Sequence, residues 1–228
     1  MTTVNALGNT TLTAADGHVL SAYRADPTGM PKGGLVVVQE IFGVNDHIRS
    51  VVDGFAKDGY VAIAPALFDR VSRGVELGYG ESDIAEGRQI RGKVTNEQAL
   101  LDIAAARDAI AGVGKIGIVG YCWGGLVAWL AATGLDGFAA AVSYYGGGIG
   151  NHADAVPRCP VMMHFGEKDH AIPLSEVDKI RAAQKDRVEI HIYPAGHGFN
   201  CDQRGSYHAE SAKLARERTL AFFAWHLQ

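Results

Sequence analysis

No stretch of this chain is apolar for long enough to span a bilayer, and its start, Met1-Thr2-Thr3-Val4-Asn5, lacks the charged-then-apolar pattern of a secretory leader. Neither charge dominates: 21 basic and 25 acidic side chains give a net charge of -4. With a pI near 6.1, there is no electrostatic case for nucleic acid or an anionic membrane as partner. Cysteine is scarce. Three residues in no metal-like spacing argue against a disulfide framework and for a reducing compartment, so a cytoplasmic protein with no metal is expected. Repeats, low-complexity tracts and linkers are missing too, which leaves residues 1–228 as one domain. The composition that remains, 47% hydrophobic and 20% charged, is ordinary for a globular chain large enough to bury a substantial core.

Along the chain, apolar runs alternate with helical patterns. Two weak strand signals flank the turn dipeptide Asp16-Gly17. After the breaker Asp26-Pro27-Thr28-Gly29, the run Gly34-Leu35-Val36-Val37-Val38-Gln39-Glu40 reads as a strand buried on both faces. A helix from about Asp46 to Asp58 and a strand Tyr60 to Ala64, stopped by Pro65, follow. Residues 66–94 are hard to read and suggest a short helix over a loop. From Asn96 to Ala111 the apolar spacing fits a helix packed on a sheet, with Asp102 and Arg107 assigned to its outer face. Strands are expected at 115–120, 138–144, 161–165 and 188–193. Helices are expected at 124–132, closed by Gly134, at 174–185 and at about 206–227. This alternation means an α/β fold: a mostly parallel sheet with helices on both faces and ligands beyond the carboxyl ends of the strands.

One stretch stands out chemically. Lys115-Ile116-Gly117-Ile118-Val119-Gly120-Tyr121-Cys122-Trp123-Gly124-Gly125 runs from a strand through a tight turn into a helix, with a cysteine framed by glycines two residues away on each side. That is the thiol version of the G-x-S-x-G nucleophile elbow. Glycine removes side chains that would collide around the strained nucleophile, and the following helix points its N-terminal amides at the thiol. A nucleophile needs a base within hydrogen-bond reach and an acid to orient that base. Asp169, in Gly166-Glu167-Lys168-Asp169-His170-Ala171-Ile172-Pro173, and His197, in Tyr193-Pro194-Ala195-Gly196-His197-Gly198-Phe199, follow later strands in the order nucleophile, acid, base. His164 and His170 flank the acid loop and compete as the base, but neither has the glycine frame of His197.

Together with Gln39-Glu40-Ile41-Phe42-Gly43, these segments resemble the dienelactone hydrolase family of α/β-hydrolases nearly end to end. The resemblance implies Cys122 as nucleophile, His197 as base, Asp169 as orienting acid, and Glu40 beside the thiol as its activating carboxylate. A charge closing a buried apolar strand is itself a mark of a site. The backbone N–H groups of Ile41 and Trp123 are the expected oxyanion donors. Family members that open dienelactones hold the substrate carboxylate with two arginines. Here Arg88 and Arg91 both suit the first, while the position of the second, four residues after His197, is Cys201, with Arg204 nearby but out of register. Tyr145 and Phe199 are candidate pocket residues.

The function expected is cysteine-dependent hydrolysis of a small-molecule ester or lactone of the carboxymethylenebutenolide type, needing no cofactor. Hydrolysis of unrelated aryl or alkyl esters is the near alternative. A ligand-binding protein on a hydrolase scaffold is another, although no triad member is missing. A glutamine amidotransferase also puts cysteine on such a turn, but carries Glu where this chain has Phe199. A Cys122–Cys201–His197 zinc site is disfavoured by the strained turn and the lack of a fourth ligand.

Overall fold

A computed structural model of the protein describes residues 10–228; the Met1–Asn5 segment read above lies outside them. In chain order the described elements are β1 (Thr10–Thr13), β2 (Val19–Ala25), β3 (Gly34–Val38), α1 (Asp46–Lys57), β4 (Val61–Pro65), α2 (Glu81–Arg91), α3 (Asn96–Ala109), β5 (Ile116–Tyr121), α4 (Trp123–Gly134), β6 (Ala140–Tyr144), β7 (Val161–Gly166), α5 (Leu174–Gln184), β8 (Val188–Tyr193) and α6 (Ala209–His226), with short 3-10 turns between them. No described helix is long and apolar enough to cross a membrane. The described residues as far as Ile116 form one compact unit, and Gly117–Gln228 form a second.

In the first unit the strand order is β1-β2-β4-β3. β1 and β2 form the antiparallel hairpin expected at Asp16-Gly17, and Gly17 supplies the positive φ of 83° that the turn needs. β2 runs antiparallel to β4, and β3 parallel to it. All five residues of β3 and of β4 are buried, the consequence of continuous β-branched and small apolar runs. α1 begins where the Asn45 side chain accepts the Ile48 N–H, and it buries Ile48, Val52 and Phe55. α3 starts with a capping box between Thr95 and Gln98.

Two expectations need correcting here. Asp102 does not face outward: it is fully buried, and both its oxygens accept from Arg70, each at 2.8 Å. Residues 66–94 hold more order than expected, namely the 3-10 turn Leu67–Arg70 and the three-turn helix α2. α2 is polar nearly all round and buries only Gly87 and Ile90, so it carries almost no periodic signal.

In the second unit β5, β6, β7 and β8 are parallel neighbours in that order. Their carboxyl ends therefore share one edge, where ligands bind in open α/β sheets. α4 packs on β6, and α6 on β6 and β7. Every residue of β5, β6 and β7 is buried, whereas β8 is partly exposed.

Candidate active site

β5 delivers the chain directly to Cys122, whose φ of 54° and ψ of -117° turn it into α4. For a residue with a Cβ this conformation costs about 1–3 kcal/mol, and the surroundings must hold it. They do so by leaving no room for anything else. A Cβ on Gly120 would lie 1.8 Å from the Gly124 carbonyl oxygen, and one on Gly125 would lie 2.7 Å from Ser143 Oγ and 2.8 Å from the Tyr144 oxygen. The Cys122 N–H donates to the Tyr144 carbonyl at 3.0 Å, and the Cys122 carbonyl accepts from Gly125 at 2.9 Å. Cys122 is half-buried. Trp123 opens α4, so the positive end of the helix dipole lies beside the sulfur.

The loops after β7 and β8 bring the other two residues to this point. Glu167 N–H donates to the Tyr193 carbonyl at 2.7 Å and Lys168 N–H to the Ala195 carbonyl at 2.9 Å, which clamps one loop to the other. Gly166 permits the approach, since a Cβ there would meet the Ala195 oxygen at 2.3 Å. Asp169 Oδ1 accepts the N–H groups of Ala171 at 2.8 Å and Ile172 at 3.1 Å. Its Oδ2 lies 2.7 Å from His197 Nδ1, and His197 Nε2 lies 3.1 Å from Cys122 Sγ. Burial disfavours a charged ring at His197, but the bonds to Asp169 and Cys122 outweigh it and push the imidazole up to about 10. A continuous acid–imidazole–thiol array results, able to hold an imidazolium beside sulfur.

The competing histidines fall elsewhere. His170 is exposed, and both ring nitrogens of the fully buried His164 are taken by Tyr193 and Thr219. Tyr145 and Phe199 do stand at the array. Tyr145, buried with a φ of 39°, meets the His197 ring edge-on at 5.2 Å between centroids and the Phe199 ring at 5.4 Å. Arg204 lies against the residue after His197, since a Cβ on Gly198 would come within 2.5 Å of its Nη1. Cys201 is fully buried, its N–H bonded to the Gly198 carbonyl at 3.0 Å.

In the first unit, Glu40 is fully buried just beyond β3, and its carbonyl accepts from the Gln39 side chain at 3.2 Å. Ile41 lies against α2, where a Cβ on Gly87 would come within 2.1 Å of the Ile41 oxygen. That helix carries an exposed Arg88 and a half-buried Arg91. Sequence reasoning missed the polar cluster of Tyr144, His164, Tyr193 and Thr219. Its visible sign was one histidine inside the apolar strand Val161–Gly166.

The profile of the dienelactone hydrolase family matches residues 20–227. A carboxymethylenebutenolidase of Pseudomonas putida is 34% identical over 220 residues, covering 92% of this chain and 92% of that protein. A crystal structure from Klebsiella pneumoniae, assigned as a dienelactone hydrolase, superposes with a TM-score of 0.84 at 34% identity over 93% of this chain and 97% of that one. A dienelactone hydrolase-like promiscuous phosphotriesterase from metagenomic libraries shares the fold with a TM-score of 0.75 at 20% identity, over 96% of this chain and 98% of that one. The chain belongs to the dienelactone hydrolase family, hydrolases of ester and lactone bonds on the α/β-hydrolase fold.

Proposed function

We propose that the protein hydrolyses an activated ester or lactone through a thioester on Cys122, with His197 as base and Asp169 as its orienting acid. The observation that carries this is the unbroken line from Asp169 Oδ2 through His197 to Cys122 Sγ, at 2.7 and 3.1 Å. The Cys122 thiolate attacks the carbonyl carbon, forming a C–S bond and a tetrahedral oxyanion near the first turn of α4, where the Trp123 N–H is the proposed donor. Collapse breaks the ester C–O bond, and the His197 imidazolium gives its proton to the leaving oxygen. Acylated sulfur bears no charge, so the imidazole loses part of what held its proton. It is then a base able to take a proton from water, which attacks the thioester and releases the thiolate. Thiolate leaves more readily than an alkyl alkoxide, so a plain alkyl ester tends to revert. Enol lactones and aryl esters suit the site better.

The same reading assigns Glu40 to thiol activation and Ile41 to a second oxyanion donor. Complete burial of an acid beyond the apolar strand β3 supports the former. Among the arginines, Arg204 has the best support for binding a substrate carboxylate, because its guanidinium lies against Gly198. Tyr145 and Phe199 are the proposed pocket walls. We also take residues 1–228 as one working domain, since the family profile runs through both units, and a reducing, cytoplasmic setting, since all three cysteines are free.

The test is turnover of p-nitrophenyl acetate and of a cis-dienelactone by the wild type and Cys122→Ala. Loss of at least about 10³-fold is expected, as when a nucleophile is removed; unchanged turnover overturns the reading. Comparing substrates with and without a carboxylate in Arg204→Gln, Arg88→Gln and Arg91→Gln then identifies the arginine that matters.

A further inference from the structure

Behind the array lies a second set of polar groups for which the reaction has no direct use. His164 sits in the middle of buried β7. Its Nδ1 is 2.8 Å from the Tyr193 hydroxyl and its Nε2 is 3.1 Å from Thr219 Oγ1. Thr219 Oγ1 is also 2.7 Å from the Tyr144 hydroxyl, and Arg218 Nη1 donates to the Tyr193 hydroxyl at 3.1 Å. A neutral imidazole has one N–H and one lone pair, so it can donate to one of its hydroxyls and accept from the other. Apolar side chains would fill such a core at lower risk, because a partly broken buried network costs more than none.

Each partner leads to one member of the array. The Tyr144 carbonyl accepts the Cys122 N–H at 3.0 Å. His164 precedes Asp169 by five residues on the same strand-to-loop path, and its carbonyl accepts the Tyr145 N–H at 2.7 Å. Tyr193 precedes His197 by four residues, and its carbonyl accepts the Glu167 N–H at 2.7 Å. The imidazole thus links β7 to Tyr193 at the end of β8 and to Thr219 on α6, and Thr219 carries the link on to Tyr144 at the end of β6.

We propose that His164 is a positioning residue for the reaction: bridging Tyr193 and Thr219, it fixes the three strand ends that set the mutual geometry of Cys122, Asp169 and His197. Burial, reinforced by His191 and Arg218, holds its pKa well below the ordinary value, in keeping with a neutral bridge. The inference rests on the proposed Cys122 mechanism, in which a misplacement of about 1 Å costs on the order of 100-fold in rate.

The experiment compares His164→Phe, which keeps ring volume without hydrogen bonds, with His164→Gln, which can donate and accept, and with Thr219→Val, which removes one hydroxyl from the helix side. Steady-state kinetics on p-nitrophenyl acetate are read beside the low-field proton resonance of the His197–Asp169 hydrogen bond. For His164→Phe, kcat should fall by about 10- to 100-fold with KM within about twofold, and the resonance should shift or broaden. His164→Gln should recover most of the loss, and Thr219→Val should fall between. If His164→Phe does not fold, Thr219→Val and His164→Gln carry the test. A folded Thr219→Val with wild-type kcat and an unmoved resonance overturns the proposal. So does a folded His164→Gln that is no better than His164→Phe, which would make the residue mere packing. Cys122→Ala separates the two readings: retained activity there removes the thioester mechanism, whereas lost activity beside unaffected His164 variants removes this inference alone.

Discussion

Asp169 holds His197 with one oxygen, Oδ2 at 2.7 Å from Nδ1, while its other oxygen is committed to the amides of Ala171 and Ile172. An asparagine here would keep its carbonyl on the two amides and present an NH₂ group to the ring. Nδ1 would then have to be the acceptor, leaving the proton on Nε2, where it faces the sulfur and blocks base catalysis. Asp169→Asn is expected to lower kcat by about 10³- to 10⁴-fold, in line with tautomer disruption in serine triads. The imidazole, pushed up to about 10 in the wild type, should titrate lower in the variant because a negative partner is gone. Aryl-ester kinetics and an NMR titration of His197 check both outcomes.

His164 gives stability a pH dependence of definite sign. The folded state depresses its pKa below the ordinary 6.5 through burial, with His191 and Arg218 adding to it. The stabilisation is therefore present above 6.5 and is lost as pH falls from there toward the depressed folded value, because only the unfolded chain takes up the proton. The slope approaches about 1.4 kcal/mol per pH unit for one such group. Urea denaturation between pH 8 and 5 should show the wild type losing stability faster than His164→Gln. Parallel curves would mean that His164 takes up its proton equally in both states.

Those two residues differ in how far the sequence reveals them. Asp169 stands in a G-x-x-D-x-x-x-P loop and His197 between two glycines, each just after an expected strand, and that local pattern singles them out as candidates. His164 was read only as a rival base flanking the acid loop; its partner Thr219 lies 55 residues on, in a helix, and no periodicity joins them. Strands β3 to β7 were legible as short, mostly apolar runs bounded by breakers, and β8, Val188-Glu189-Ile190-His191-Ile192-Tyr193, as an apolar–polar alternation. α2 was legible only as a short helix without bounds, since a helix that buries only Gly87 and Ile90 has no apolar stripe. Asp102 was misread for the opposite reason: helical spacing assigns polar residues outward and cannot register an arginine from another segment.

That arginine makes Asp102 a sensitive position. The Arg70 and Asp102 side chains are 6% and 0% exposed, with a 2.8 Å contact, and desolvation raises the Asp102 pKa despite the guanidinium. Asp102→Ala would leave the buried Arg70 with Asp16, whose side chain is 37% exposed. A loss of about 3 kcal/mol is expected, the lower range for breaking a buried pair. The double variant Arg70→Met with Asp102→Leu, which removes both charges, should be more stable than the single one. Urea midpoints at neutral pH decide the order, and additivity of Arg70→Met and Asp102→Leu, each made alone, in the double variant would argue against a coupled pair.

The elbow itself depends on space more than on glycine's flexibility at one position. Gly120 has no positive φ; what it needs is room, because its missing Cβ would sit 1.8 Å from the Gly124 oxygen in the first turn of α4. That oxygen belongs to backbone and cannot swing aside. Gly120→Ala must therefore separate β5 from α4 and carry Cys122 with one of them, at a cost of at least about 3 kcal/mol, the upper end for overpacking. Gly112, in the 3-10 turn Ala111–Val113, is the control: a Cβ there meets nothing within 4 Å and its φ is not positive. Gly112→Ala is expected to be neutral, or to stabilise by about 0.4–1 kcal/mol through the unfolded chain. Thermal denaturation of both variants, with aryl-ester turnover of whatever folds, checks this. A Gly120→Ala protein with wild-type melting temperature and activity would mean that the strand and helix can part without disturbing the thiol.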